Sequence, residues 1–253
     1  MASSAAELPI LGQSGSTPCD TCHAGCCRTF VIPLTGADIW RLERDLKLSF
    51  WEFACRWEDP HGSIAQKYAP HFHFQDEPET RFVIGLIQAR STFAPTTTKC
   101  RFLMEGAPDE EHPRGISRCG IYPSRPSACR VFPTRFDNTG DVIEIVQVPA
   151  TLNENENPIY NLCPEPWEPS HFDPVTSMEH LTTAAYEMRF FHKIATLWNR
   201  KPGPWHIFPD FLKIVYSERV MHGERVLDEE LFPQIIKFPQ SAVGGTDADK
   251  QAA

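Results

Sequence analysis

Apolar residues recur at helical spacing twice early in the chain and once, at length, near its end. Ile39, Leu42 and Leu46 follow Thr35-x-x-Asp38, a spacing with the form of a capping box that predicts a helix start. Ser49-x-x-Glu52 repeats the signal before Phe53, Ala54 and Trp57 and predicts a second short helix that carries Cys55. The longest helical pattern starts near Ser177: Leu181, Ala184, Ala185, Met188, Phe191, Ala195 and Trp198 form one face, and Lys201-Pro-Gly-Pro ends it. A last helix is expected over residues 208–219. Branched apolar runs predict strands at 81–89, from Cys100 to Met104 and from Val142 to Val148, the third preceded by a turn at Asn138-Thr-Gly140. The proline-broken stretch from Trp57 to Glu79 and the Pro/Asn/Glu-rich stretch at 149–174 read as irregular.

Cysteines change this picture. Eight of the nine fall into three groups: Cys19-x2-Cys22-x3-Cys26-Cys27, then Cys100 with Cys119-x9-Cys129, then Cys163. Thiolate is the soft ligand that selects zinc, copper(I) and iron–sulfur centres. An odd cysteine count leaves at least one thiol over in any disulfide scheme. The vicinal pair also spans only about 3.8 Å between α-carbons, against the roughly 5.5–6 Å a disulfide prefers. The expected fold is therefore α+β: a small single domain with irregular cysteine-bearing loops around a metal site, short strands and a helical C-terminal part. Expected boundaries are a disordered tail over 1–18, a cysteine-cluster domain over 19–165, a helical part packed on it over 166–239, and a second disordered tail over 240–253.

Composition narrows the function classes. The chain has 253 residues, 41% of them hydrophobic and 23% charged, and a net charge of −9. That acidic balance argues against nucleic acid as a partner, and no apolar run reaches the roughly 20 residues of a membrane span. With no signal-peptide pattern at the start, a cytoplasmic location is expected, where clustered cysteines hold metal more often than they form disulfides. No glycine-rich nucleotide fingerprint and no Ser/His/Asp order is evident. Cys55, among bulky apolar neighbours, reads as a small buried hydrophobe. His71-x-His73 has the spacing of a metal pair on one side of a strand but reads as packed or exposed histidines. The runs Asp76-Glu77-Pro-Glu79 and Asp109-Glu110-Glu111 read as solvated loops. Tyr122 and Phe132 read as core. Arg28, Lys99, Arg101, Arg118, Arg125 and Arg130 sit beside the cysteines and are read as offsetting thiolate charge.

Cys19-Asp-Thr-Cys22-His-Ala-Gly-Cys26-Cys27-Arg28 and Pro33-Leu34-Thr35-x-x-Asp38 resemble the signature of the YkgJ-type cysteine-cluster family, described as a zinc- or iron-chelating domain. Cys119-Gly-Ile-Tyr122-Pro-Ser-Arg125-Pro126-Ser-Ala-Cys129-Arg130-Val-Phe132-Pro133 is similar to that family's most recognisable stretch, with Cys100-Arg-Phe-Leu103 and Cys163-Pro164 on either side. The family usually has two residues before its Cys-Cys pair; here His23-Ala24-Gly25 gives three. A glycine there lets the loop bulge, and His23 is an alternative ligand. The resemblance implies a metal centre held by Cys19, Cys22, Cys26, Cys27, Cys100, Cys119, Cys129 and Cys163. All-sulfur ligation favours an iron–sulfur cluster, [4Fe-4S] by preference, over zinc. The expected role is electron transfer, metal handling or sensing, with metal as the partner and the protein partner undefined. Two alternatives stand beside it: a protein-modifying enzyme, since similar clusters occur in flagellin lysine methylases, and an interaction module with structural zinc. Catalysis is not the leading expectation, and the sequence names no catalytic residue.

Overall fold

The computed structural model describes residues 17–65, 69–137, 139–140, 142–146, 157–163 and 165–227. Its regular elements are short and set between long connections. Six α-helices are described: α1 Cys26–Thr29, α2 Gly36–Leu46, α3 Phe50–Phe53, α4 Ser127–Val131, α5 Pro174–Arg200 and α6 Phe208–His222. Nine strands are described: β1 Ala54–Glu58, β2 Phe72–Phe74, β3 Glu77–Leu86, β4 Gln88–Arg90, β5 Thr98–Cys100, β6 Leu103–Glu105, β7 Ser117–Cys119, β8 Thr134–Phe136 and β9 Ile143–Ile145. All pair antiparallel, in one three-stranded sheet of order β1-β3-β2 and three two-stranded ribbons, β4-β5, β6-β7 and β8-β9. The architecture is thus a mixed α+β single domain with cysteine-rich loops, as expected. The expected tail over 240–253, and all but the last two residues of the tail over 1–18, lie outside the described residues. So do Asn138 of the expected turn and the end of the expected strand at 147–148.

Both capping boxes form. At α2 the Thr35 hydroxyl accepts from the Asp38 amide at 3.2 Å, while Asp38 accepts from the Thr35 amide at 3.1 Å. At α3 the Ser49 amide donates to Glu52 at 2.7 Å. Yet α3 ends after one turn, so Cys55 lies on a strand and not on a helix. The pattern Phe53, Ala54, Trp57 suited a helix, but tertiary pairing won: β1 runs beside β3 with Cys55 opposite Gly85 and Trp57 opposite Val83, and the Trp57 indole donates to the Leu86 carbonyl at 3.0 Å. Cys55 is half-buried there, less enclosed than the buried position expected of it.

The expected strand over 81–89 is divided at Ile87 into β3, which starts earlier at Glu77, and β4, which joins a different ribbon. The expected strand from Cys100 to Met104 is likewise broken at Arg101-Phe102. Helix α5 begins at Pro174 rather than near Ser177, because Asp173 caps it by accepting from the Thr176 amide at 2.7 Å and proline suits the first helical position. Its burial is confined almost entirely to the C-terminal half. Phe190, Phe191, Ile194, Ala195 and Trp198 are buried whereas Ala185 is exposed.

That half of α5 packs with α6 on the three-stranded sheet. Phe72 meets Phe191 and Phe208, each with ring centroids 5.0 Å away, and Trp198 meets Phe208 at 5.0 Å and Phe211 at 4.8 Å. The same helix covers the free edge of β2. The Trp198 indole donates to the His73 carbonyl at 2.7 Å, and the Asn199 amide donates to the His71 carbonyl at 2.8 Å and accepts from the His73 amide at 2.9 Å. An edge that would otherwise offer unpaired backbone groups is closed by side chains.

One buried carboxylate joins this body to the cysteine-bearing segment. Asp38 accepts from the Thr35 hydroxyl at 2.9 Å, from Arg41 at 2.7 Å, and from both the amide and the hydroxyl of Ser127 at 2.9 Å. It therefore ties the start of α2 to the start of α4. Replacing it by alanine strands several buried donors, so Asp38→Ala is expected to lower unfolding stability by about 3 kcal/mol, read from urea denaturation.

Candidate metal centre

The eight grouped cysteines reach one region from six pieces of chain. Cys19 and Cys22 lie on a tight turn, in which the Thr17 amide donates to Asp20 at 2.6 Å and the Asp20 amide to the Thr17 carbonyl at 2.9 Å. Cys26 and Cys27 open α1. Cys100 ends β5, Cys119 ends β7, Cys129 lies within α4, and Cys163 follows a short 3-10 turn at Pro158–Tyr160. Two cross-links assemble them. The Ser117 amide donates to the Cys22 carbonyl at 2.9 Å, fastening the first loop to β7, and the Thr29 hydroxyl donates to the Tyr160 carbonyl at 2.8 Å, fastening α1 to the segment before Cys163. All nine cysteines are free thiols.

The extra residue in the first group has a defined use. Ala24 sits at φ 58°, in the left-handed region, and its amide donates to the Cys22 sulfur at 3.2 Å. Gly25 is itself right-handed, so freedom of φ is not why it is glycine. It is glycine because a β-carbon there would lie 1.7 Å from the Asn161 carbonyl oxygen. Close approach of the Cys163 segment demands the missing side chain. His23 is buried against the same segment. Burial and the nearby Arg114 guanidinium depress its pKa to about 4, so it is neutral, and its Nε2 has no hydrogen-bond partner.

The thiols are close enough to feel one another's charge, in a pattern centred on Cys26. Burial first, and then Cys26, Cys22 and Cys163, push the Cys19 thiol up, although part of the residue is exposed. Burial and Cys26 also raise Cys22, and Cys163 is raised to about 11 mainly by burial, with Cys26 and Cys22 adding to it. On the other side, burial raises Cys100 to about 11, with Cys119 and Cys26 contributing, and raises Cys129 in company with Cys26, Cys100 and Cys119. Cys119 is raised by burial as well. Cys27 donates to Cys26, so the Cys26 pKa falls and that of Cys27 rises. Cys55 is raised by burial alone and feels none of the others. Cys26 is common to both sides: it acts on Cys19, Cys22 and Cys163 and also on Cys100, Cys119 and Cys129, while its neighbour Cys27 is raised by Cys26, Cys129 and Cys100.

Specific donors oppose that rise. Backbone amides two residues onward serve three of the sulfurs: Ala24 for Cys22, Phe102 for Cys100 and Ile121 for Cys119. The break between β5 and β6 is what turns the Phe102 amide toward Cys100. The Trp167 indole donates to the Cys163 sulfur at 3.1 Å. Of the six cations expected to offset thiolate charge, Arg125 does so most broadly, lowering Cys19, Cys26, Cys119 and Cys129, and Lys99 lowers Cys100. Arg114, which sequence reading passed over, lowers Cys22. Arg130 instead donates to the Arg125 carbonyl at 2.9 Å and to the Pro123 carbonyl, and Arg101 lies over the Phe102 ring. Nothing in the structure assigns Arg118 a role at the sulfurs.

Arg28, beside Cys27, is a scaffold cation. Its guanidinium donates to Glu105 at 2.7 Å, with both side chains only 2% exposed, and to Ser91 at 3.2 Å. Glu105 also accepts from the Ser91 hydroxyl at 2.5 Å and the Thr92 amide at 2.7 Å, and lies 3.3 Å from Lys99. This network bolts α1 to β5 and β6, and no sequence signal announced it. Burial acts to raise the Glu105 carboxyl, but the Ser91, Thr92, Arg28 and Lys99 donors outweigh it and bring the pKa to about 2. Because the folded value lies below the unfolded one, the stabilisation is present above about pH 4.5 and is lost as pH falls toward 2. Glu105→Gln is expected to cost about 3 kcal/mol near neutrality by stranding Arg28, and to flatten the acid limb of stability, as urea titrations across pH would show.

Other candidates separate from the centre. His71 bonds Asp59 through Nε2 at 3.0 Å, and no set of three His, Cys, Asp or Glu side chains among the described residues is drawn to coordination geometry. Asp76 and Glu77 are not free solvated charges, since both pair with Arg56. Tyr122 and Phe132 are half-buried rather than core: Arg125 lies 4.2 Å from the Tyr122 ring, and Phe132 lies 6.3 Å from Phe30. The donor set still suits a metal. Eight grouped free thiols with amide, indole and guanidinium partners at sulfur are the donor types a thiolate-bound cation needs, and separated thiolates close only around the cation that neutralises them.

Residues 18–156, more than half of the chain, match the family model "CxxCxxCC: Putative zinc- or iron-chelating domain". The chain belongs to this family. Cys163 lies beyond the matched region, and the contacts around Gly25 and Thr29 are what add it to the cluster. Comparisons with curated proteins and with solved structures find no match. Family membership makes the chain a zinc- or iron-chelating domain protein with metal as its partner. No helix among the described residues is long and apolar enough to cross a membrane.

Proposed function

We propose that this member of the CxxCxxCC family holds an iron–sulfur centre, [4Fe-4S] by preference, and serves in electron transfer, metal handling or sensing. The observation that supports this most is the set of sulfur-directed donors. Amides of Ala24, Phe102 and Ile121 and the indole of Trp167 each favour thiolate over thiol at a buried position. Such hydrogen bonds also set the potential of a thiolate-ligated cluster. Cys19, Cys22, Cys26, Cys27, Cys100, Cys119, Cys129 and Cys163 would hold the metal, and the cluster would supply one-electron chemistry. The rest falls to the chain: Arg125, Arg114 and Lys99 reduce the net charge. In this reading residues 19–165 form the metal-binding unit, and the helical part from residue 166 supports it.

A second reading has one observation in its favour. Eight grouped thiols supply the four apiece that two tetrahedral structural zincs take, with the vicinal pair free to divide between two ions. The two readings separate cleanly. Anaerobic purification is expected to give a brown protein absorbing near about 400 nm, with about four irons and four sulfides. Cys26→Ser is expected to abolish metal retention, while Cys55→Ser leaves it unchanged. A colourless protein with one or two zincs and no sulfide selects the second reading. A folded protein free of metal under both aerobic and anaerobic preparation ends both.

Trp167 gives a test of tuning. Removing a hydrogen bond from a ligating sulfur raises its electron donation and makes the cluster harder to reduce. Trp167→Phe is therefore expected to move the midpoint potential to a more negative value without loss of iron, measured by redox titration with metal analysis of the same sample.

A further inference from the structure

The metal centre leaves one constellation unused. A cleft of about 440 Å³ opens where the connection after β1 and the start of β2 meet α5. That is the volume range of small-molecule sites. Small residues, Gly62, Ala65, Ala69 and Ala195, provide the room, and His61, His71, His192 and Arg81 bring nitrogen donors to it. No carboxylate is among the described residues that line it. The nearest, Asp59, is already committed. Its side chain is 2% exposed and accepts from Ser63 at 3.1 Å, from the Ala65 amide at 2.9 Å, from the Ile64 amide at 3.2 Å and from His71 Nε2 at 3.0 Å.

We propose that this cleft binds a small ligand through an oxyanion, a phosphate or carboxylate group, with Arg81 as its charge partner and the fixed ring of His71 as a polar neighbour. Two features carry the assignment. Arg81 forms no ion pair among the described residues, even though its carbonyl accepts the Asp59 amide at 2.9 Å. A guanidinium at a cleft without a counter-ion is the group that matches phosphate or carboxylate geometry. The second feature is the fixed ring of His71. Asp59 holds one ring nitrogen, and Nδ1 makes no hydrogen bond among the described residues, so the ring is fixed with one nitrogen uncommitted. Burial acts against ionised Asp59, but the Ala65 and Ile64 amides outweigh it and keep the carboxyl below its usual range, so the anchor of His71 is a charged one. Asn199 and Thr196 add little to recognition. Asn199 is occupied by the backbone of His71 and His73, and Thr196 by the His192 carbonyl.

The test uses the full chain with its metal and inorganic phosphate as the probe, near about pH 6.5, where imidazoles react and donate. Equilibrium dialysis with labelled orthophosphate measures binding, and diethyl pyrocarbonate footprinting by mass spectrometry locates it. Saturable binding is expected, with slowed modification of His61, His71 and His192 but not of the exposed His206 and His222. Arg81→Ala, at an exposed position that leaves the far-ultraviolet spectrum unchanged, is expected to weaken binding about tenfold or more, the loss of a charge-assisted pair. Arg135→Ala, on the β8-β9 ribbon, serves as the control and is expected to have no effect. Substituting acetate at equal ionic strength separates the two ligand classes, the tighter binder naming the group the cleft prefers. Absence of saturation, protection spread over all histidines, or full binding by Arg81→Ala would overturn the proposal.

Discussion

Short elements cannot hold themselves. A helix of four residues or a ribbon of two three-residue strands has too few internal hydrogen bonds to offset the entropy of ordering it, and every cysteine of the cluster sits on such a piece or beside one. Two buried carboxylates take over that task. Asp38 gathers donors from Thr35, Arg41 and Ser127, and Glu105 gathers them from Arg28, Ser91, Thr92 and Lys99. The first fixes α4 and hence Cys129 against α2. The second fixes α1 and hence Cys26 and Cys27 against the ribbons that carry Cys100 and Cys119. A buried charge is costly unless its partners are all in place. Each joint therefore forms completely or not at all, and the cysteines inherit that precision.

The joints in turn create the electrostatic problem that the centre must meet. Thiols brought this close suppress one another's ionisation, and burial suppresses it further. Backbone amides two residues after Cys22, Cys100 and Cys119, the Trp167 indole and the Arg125 guanidinium push the other way. The balance is left unfinished by the protein alone and is completed by a cation. Cys26 stands nearest the middle of the group, acting on thiols from every other segment.

The large apolar body built by α5, α6 and the three-stranded sheet has a separate role. Its aromatic cluster around Phe72, Trp198 and Phe208 belongs to the same core that takes in Cys100 and packs Cys27 and Cys119, so it supplies a base on which the irregular loops are mounted. The same packing leaves the His71 and Arg81 cleft on its flank. Chemistry thus gathers on two sides of one core, sulfur at the loops and nitrogen at the sheet edge.

Local chemistry was legible from residues alone. Two capping boxes, the stop at Lys201-Pro-Gly-Pro and the separateness of Cys55 follow from interactions within a few positions, as does the choice of sulfur as ligand type. Whatever depended on distant partners was not. The residues around Cys55 have helical spacing, and only pairing with Gly85 and Val83 made them a strand. Gly25 looked like a source of backbone freedom, and only the nearness of the Asn161 carbonyl showed that it is a matter of space. Arg28 looked like a counter-ion for thiolate until Glu105, 77 positions away, claimed it. Sequence by itself determined which atoms can bind a metal and where helices start, because those are properties of side chains and nearest neighbours. Tertiary structure alone decided which cations and amides face the thiols and which carboxylates hold the loops, because those depend on buried contacts between segments that no spacing along the chain encodes.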